Sequence, residues 1–244
     1  MNYYYWIVTI IFLVSFFVSR ILKRKIRFYS GFQMNIQMTG KEIAEKMLYD
    51  SGIHDVDVLF VEGELTDYYD PLNKTINLSE NVYSKKTVSA IAVSAHECGH
   101  ALQHKLGYGI LKFRNQIEPL LNLSSKLTNI TIMFGLSIFY SSEGKNSFFL
   151  KLGIGLFFLA VIFSFITLPI EFDASKRALI WLKDKKIVNH KEYNQARDSL
   201  NWAAMTYVVS ALGSFSQLIY FISFLNTTPT TSSRSNENQI DEYE

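Results

Sequence analysis

Residues 90–103 read Ala90-Ile91-Ala92-Val93-Ser94-Ala95-His96-Glu97-Cys98-Gly99-His100-Ala101-Leu102-Gln103. The stretch contains no proline and is built from small and apolar residues, so it suits one continuous helix. Two histidines four positions apart stand one turn above each other on a helix. Both imidazoles then reach a single tetrahedral ion, with Glu97 projecting beside them. This is the pattern of a zinc-dependent hydrolase. The ion brings the pKa of a bound water from about 15.7 toward roughly 7 and polarises a carbonyl, while Glu97 takes the proton. Cys98 occupies a spacer position on another face and reads as a small packing residue.

A catalytic zinc usually has three protein ligands and one open position. His104 lies a further turn along the same helix, too far to share the ion, and reads as a polar residue at the helix end. The longer metzincin pattern fails because residue 106 is Leu106. Glu171 is the better candidate. It opens Glu171-Phe172-Asp173-Ala174-Ser175-Lys176-Arg177-Ala178-Leu179, a helix-like run directly after the apolar stretch ending Leu168-Pro169-Ile170. From a second helix its carboxylate can be aimed at the first.

Apolar residues are gathered into blocks, and four of these have the character of membrane spans. Residues 3–19 carry no charge and are just long enough to cross at about 1.5 Å per residue. Residues 148–170 are interrupted only by Lys151, and 202–225 are uncharged. The segment 127–142 is shorter and more polar. It is read as the hairpin partner of 148–170 across the short 143–147 connection, the alternative being a buried helix pair. The expected fold is a mainly α membrane protein of about four transmembrane helices with a small α+β zincin-like catalytic domain. Its expected divisions are an anchor with basic flank at 1–27, a cytoplasmic domain at 28–126 and a transmembrane hairpin at 127–170. A cytoplasmic segment at 171–201, a last span at 202–225 and a disordered tail at 226–244 complete it.

The first block lacks the basic start of a signal peptide and is followed by Arg20, Lys23, Arg24, Lys25 and Arg27. Such a cluster marks the cytoplasmic flank of an anchor. Residues 171–201 are also rich in lysine and arginine, whereas 143–147 and the tail each carry one basic residue. Charge bias therefore places the His96/His100 helix and Glu171 on the same, cytoplasmic, side of a multi-pass cell-membrane protein. The net charge of +2 argues against nucleic acid as a partner, and the basic residues suit anionic lipid headgroups. A single cysteine excludes an intrachain disulfide.

Between anchor and motif, Thr39-Gly40-Lys41-Glu42 has the form of a capping box opening an amphipathic helix that ends near Ser51-Gly52. Three strand candidates follow at Val56–Val61, Leu65–Tyr69 and Thr75–Leu78, separated by Glu62-Gly63-Glu64 and Asp70-Pro71-Leu72-Asn73 turns. They predict a small antiparallel sheet beside the motif helix. Its exposed edge either adds an extended peptide as a further strand or merely covers the helix.

Taken together, Tyr69-Asp70-Pro71, Thr75 through Glu80, Val82-Tyr83, Ala95 through Gln103 and Leu168 through Ser175 carry a family resemblance. Over roughly residues 1–225 the chain resembles the YugP-like family of neutral zinc metallopeptidases of bacterial membranes. The resemblance implies a membrane-embedded peptidase related in design to the gluzincins. His96, His100 and Glu171 would be its zinc ligands, Glu97 its general base, and a protein or peptide its substrate. Membrane gluzincins of the HtpX type carry an aspartate four residues after the glutamate ligand, where it orients a histidine. Ser175 stands there in this chain, and Asp173 is the alternative for that role. For stabilising the transition-state oxyanion, His190, Tyr193 and Tyr207 qualify by residue type, and their spacing selects none of them. Two rival readings are a catalytically inactive zinc-binding membrane protein and a non-peptidase zinc amidohydrolase. Retention of a base at Glu97 argues against the first.

Overall fold

The computed structural model describes residues 2–30 and 38–225, so the tail at 226–244 lies outside the described residues. Seven helices and three strands follow in the order α1 (Asn2–Ser30), α2 (Gly40–Asp50), β1 (Asp57–Val61), β2 (Tyr68–Asp70), β3 (Thr75–Ser79), α3 (Glu80–Tyr83), α4 (Val88–Lys105), α5 (Gly109–Ser141), α6 (Phe148–Asp184) and α7 (His190–Leu225). The protein is mainly helical with one small sheet.

Helix α2 starts where its capping box predicts. The Thr39 hydroxyl accepts from the Glu42 amide at 3.2 Å, and the Glu42 carboxylate accepts from the Thr39 amide at 2.7 Å. Its inner face, Ile43, Ala44, Met47 and Leu48, is buried against α4. Helix α4 is capped by Thr87 and ends in Lys105, whose charge suits a helix C-terminus. Its residues are buried on several faces, including Ala90, Ile91, Ala92, Ala95 and Cys98, because α2, β3 and α6 all pack against it.

The sheet departs from the all-antiparallel expectation. Its strand order is β1-β3-β2, with β1 parallel and β2 antiparallel to β3. The second turn forms the expected hairpin: the Asp70 carboxylate accepts from the Leu72 and Asn73 amides, and Tyr68–Asp70 pairs with Thr75–Asn77. The first turn does not pair its flanking strands. Burial explains why: Ile76 and Leu78 are fully buried, so β3 takes the centre and β1 and β2 become the edges. Asp67 fixes the swing of the chain across the sheet, its carboxylate accepting from the Ser79 amide at 2.7 Å and from the Ser79 hydroxyl at 3.1 Å.

Helices α5, α6, α7 and α1 pack successively on one another, and the α5–α6 pair is the most intimate. Among the described residues, α6 and α7 are each long and apolar enough to cross a membrane. A second apolar core, formed by Phe139, Leu150, Ile154, Val161 and Leu218, lies in this bundle, apart from the core around α2, α4 and β3. Large apolar side chains such as Met133, Phe134 and Phe158 remain exposed on its outside. Helix α5 runs unbroken through residue 127, and Gly109, Ile110 and Phe113 line a groove with the α6 face from Phe158 to Pro169. The α6 and α7 helices likewise run unbroken across 170/171 and 201/202. Lys25 in the basic flank of α1 pairs with Asp198 on α7 at 2.7 Å.

The α5–α6 approach depends on glycine. A Cβ at Gly135 would strike the Leu150 backbone, and one at Gly153 would come within 2.7 Å of Ile132. A Gly135→Leu substitution is expected to splay the hairpin and cost about 1–3 kcal/mol. Thermal unfolding in detergent measures this against Gly155→Ala, where an added Cβ meets nothing within 4 Å.

Candidate metal centre

The site forms where α4 crosses α6. Gly99 makes the crossing possible: a Cβ there would lie 2.5 Å from the Ala174 carbonyl oxygen and 3.0 Å from its Cα. With that contact, α6 presents Glu171 to the histidines one turn apart on α4. The Glu171 Oε2 atom lies 3.3 Å from His96 Nε2 and 3.7 Å from His100 Nε2. The imidazole rings are nearly perpendicular, at 84° with centroids 4.8 Å apart.

Each imidazole is held by its other nitrogen. The Ser175 hydroxyl lies 3.0 Å from His96 Nδ1, and the Gln103 side-chain oxygen 3.1 Å from His100 Nδ1. Both Nε2 atoms are thereby aimed at Glu171. Gln103 donates in turn to the Ile170 carbonyl and to Asp173, each at 2.8 Å, and Asp173 accepts from Arg177 Nε at 2.6 Å. The two candidates for orienting a histidine thus both act, on different rings: Ser175 directly on His96, and Asp173 on His100 through Gln103.

Electrostatics favour a cation at this point. Burial opposes ionisation of Glu171, yet its hydrogen bonds to His100 and His96 overcome this and hold the carboxyl well below the usual carboxylate range. Burial would lower the pKa of His100, but the Glu171 hydrogen bond and the charges of Glu97 and Glu171 raise it. Negative charge that would keep a proton on an imidazole would also keep a metal there. Glu97 is buried, and burial pushes its carboxyl up despite the neighbouring imidazoles.

The donor set fits zinc. The atoms offered by His96, His100 and Glu171 all lie within 4.8 Å of one another. Metal–ligand bonds of about 2.0–2.1 Å in a tetrahedron require ligand separations of about 3.3 Å, close to the two imidazole–carboxylate distances.

The other sequence candidates lie elsewhere or have different tasks. His104 is exposed in the last turn of α4, bonded through Nδ1 to the Tyr69 hydroxyl at 2.8 Å. Cys98 is buried with its Sγ 3.5 Å from the Ala44 carbonyl, and burial pushes its thiol up, as suits a packing residue. Of the three oxyanion candidates, Tyr207 interacts with the Glu171 side chain and feels the charge of Glu97. His190 and Tyr193 stand in the first turn of α7, about 20–25 Å along its axis from Tyr207. Gln103 was not among the sequence candidates. Its signal was its place, one turn after the second histidine, where a fully buried amide is unusual.

Among the described residues this is the one group of His, Cys, Asp and Glu side chains placed to hold a metal ion. The chain belongs to the family described as "Putative neutral zinc metallopeptidase", whose model matches residues 4–226. It is 39% identical over 214 residues to a protein of Bacillus subtilis (strain 168) called "Putative membrane protease YugP", covering 87% of this chain and 92% of that one. No solved structure matches the chain.

Proposed function

We propose that the chain is an integral membrane zinc endopeptidase whose site lies at the cytoplasmic end of its helical bundle. The observation that carries the reading is that α6 has two parts: an apolar stretch able to span a bilayer and, directly after it, the carboxylate that meets two histidines of a compact domain. His96, His100 and Glu171 hold the zinc. Bound there, zinc lowers the pKa of a water and polarises a carbonyl. Glu97 accepts the proton of the attacking water and passes it to the leaving amine. Ser175 and Gln103 keep the two rings in place. Tyr207, beside Glu171 and Glu97, supplies the hydroxyl donor for the developing oxyanion. The outer edge of β2, unpaired among the described residues and on a strand with contacts to α4, suits an extended peptide backbone.

In this reading α1, α5, α6 and α7 all cross the bilayer, with residues 38–105 on the side marked by the basic clusters. The divisions at 28–126 and 171–201 become the cytoplasmic ends of continuous helices together with the compact domain. Proteolysis of inside-out against right-side-out vesicles tests the orientation, since only the former should expose the 62–67 loop to cleavage.

Metal analysis and cleavage of casein or a peptide library by detergent-purified protein test the activity. About one zinc per chain is expected, with cleavage lost on chelation and restored by zinc. Zinc without peptide cleavage, but with hydrolysis of simple amides or esters, would sink the peptidase reading in favour of an amidohydrolase. Tyr207→Phe is expected to lower kcat by about 100-fold or more with KM and zinc content little changed. Unchanged kcat would remove Tyr207 from the chemistry.

A further inference from the structure

We propose that Gln103 is a positioning residue that dictates which nitrogen of His100 carries the proton and, through the Ile170 carbonyl, holds Glu171 in register with it. The inference rests on the zinc-site reading above and adds to it how two of the three ligands are set by one side chain.

An amide nitrogen has two hydrogens, and an amide oxygen can only accept. Both hydrogens of Gln103 are committed, one to the Ile170 carbonyl and one to Asp173 Oδ2, each at 2.8 Å. The flipped amide would set its oxygen against two acceptors, so the environment dictates this orientation. The Gln103 oxygen then faces His100 Nδ1 at 3.1 Å, and that nitrogen must be the N–H. In the neutral imidazole, the form that ligates a metal, His100 Nε2 then keeps its lone pair for an ion shared with Glu171, whose Oε2 lies 3.7 Å away. Donation runs in a fixed direction from His100 to Gln103 and from Gln103 to Asp173, where it meets the Arg177 donor.

His96 has no such lock. Its partner Ser175 is a hydroxyl, which either donates or accepts. The two ligating histidines are therefore unequal: His100 is preset, and His96 adapts. Gln103 also grips the carbonyl of the residue immediately before Glu171, tying the third ligand to the second across the α4–α6 crossing.

Zinc affinity, read by competition with a chromophoric chelator, and the visible spectrum of the cobalt-substituted protein test this without reference to hydrolysis. Gln103→Leu is expected to bind zinc about 10- to 100-fold more weakly and to alter the cobalt bands. Gln103→Glu should weaken binding too, because its carboxylate faces Asp173 with no hydrogen to give. In the double variant Gln103→Glu with Asp173→Asn, the new amide donates to the new carboxylate, and His100 regains a fixed acceptor. It should bind zinc about 10-fold or more tightly than the two single effects combined predict. Affinity within about threefold of wild type in Gln103→Leu, or strictly additive losses in the double variant, would overturn the proposal. If Gln103→Leu does not fold, the near-isosteric Glu pair decides alone. Failure of the wild type to bind zinc would instead strike the metal-site reading itself.

Discussion

The Glu97→Gln protein is expected to hold about one zinc per chain and to cleave peptides about 100- to 10,000-fold more slowly than the wild type. The amide preserves the volume of the buried side chain and removes only its ability to take a proton. A loss of that size corresponds to roughly 3–5 kcal/mol of barrier, the scale of one lost general base. Folding should not suffer, because burial already disfavours the Glu97 charge. Parallel zinc analysis and single-peptide kinetics on the two proteins give the answer. Wild-type rates in the variant would place the base elsewhere, and loss of zinc would make Glu97 a ligand.

Gly99→Ala is expected to damage both stability and zinc binding, although alanine is the better helix former. Its methyl group would sit 2.5 Å from the Ala174 carbonyl oxygen, whereas ordinary carbon–oxygen contacts are about 3.3–3.6 Å. The helices must separate by about 0.8 Å or more, and a metal site tolerates ligand errors of only about 0.2 Å. Overpacking of this kind costs about 1–3 kcal/mol, and Glu171 withdraws with α6. Thermal unfolding and zinc affinity should both fall in Gly99→Ala. Both should hold in Gly109→Ala, where an added methyl meets nothing. Full zinc affinity in Gly99→Ala would show that α6 can give way without moving Glu171.

Much of the site was legible because its signals are local. His96, Glu97 and His100 are spaced by the helix repeat, so one helix suffices to place them on one face. The α2 cap, formed by Thr39 and Glu42 three residues apart, is local for the same reason. The Asp70–Asn73 hairpin also depends on adjacent residues and forms as expected. Strand order could not be read this way. Pairing β1 with β3 instead of β2 is settled by which strand buries most apolar surface, a property of the assembled layers. Among His190, Tyr193 and Tyr207, residue type alone selected none, and only the course of α7 past Glu171 distinguishes Tyr207.

By itself, the sequence determined that two histidines and a neighbouring glutamate lie on one helix, and that Glu171 directly follows the most apolar block of the chain. The tertiary structure decided that Glu171 meets the pair, that Ser175 and Gln103 divide the two histidines between them, and that Gly99 is the point of contact. Helix periodicity carries information over one or two turns and is written in adjacent residues. The approach of α4 to α6 joins residues 67 to 79 positions apart, and it depends on packing around one missing methyl group.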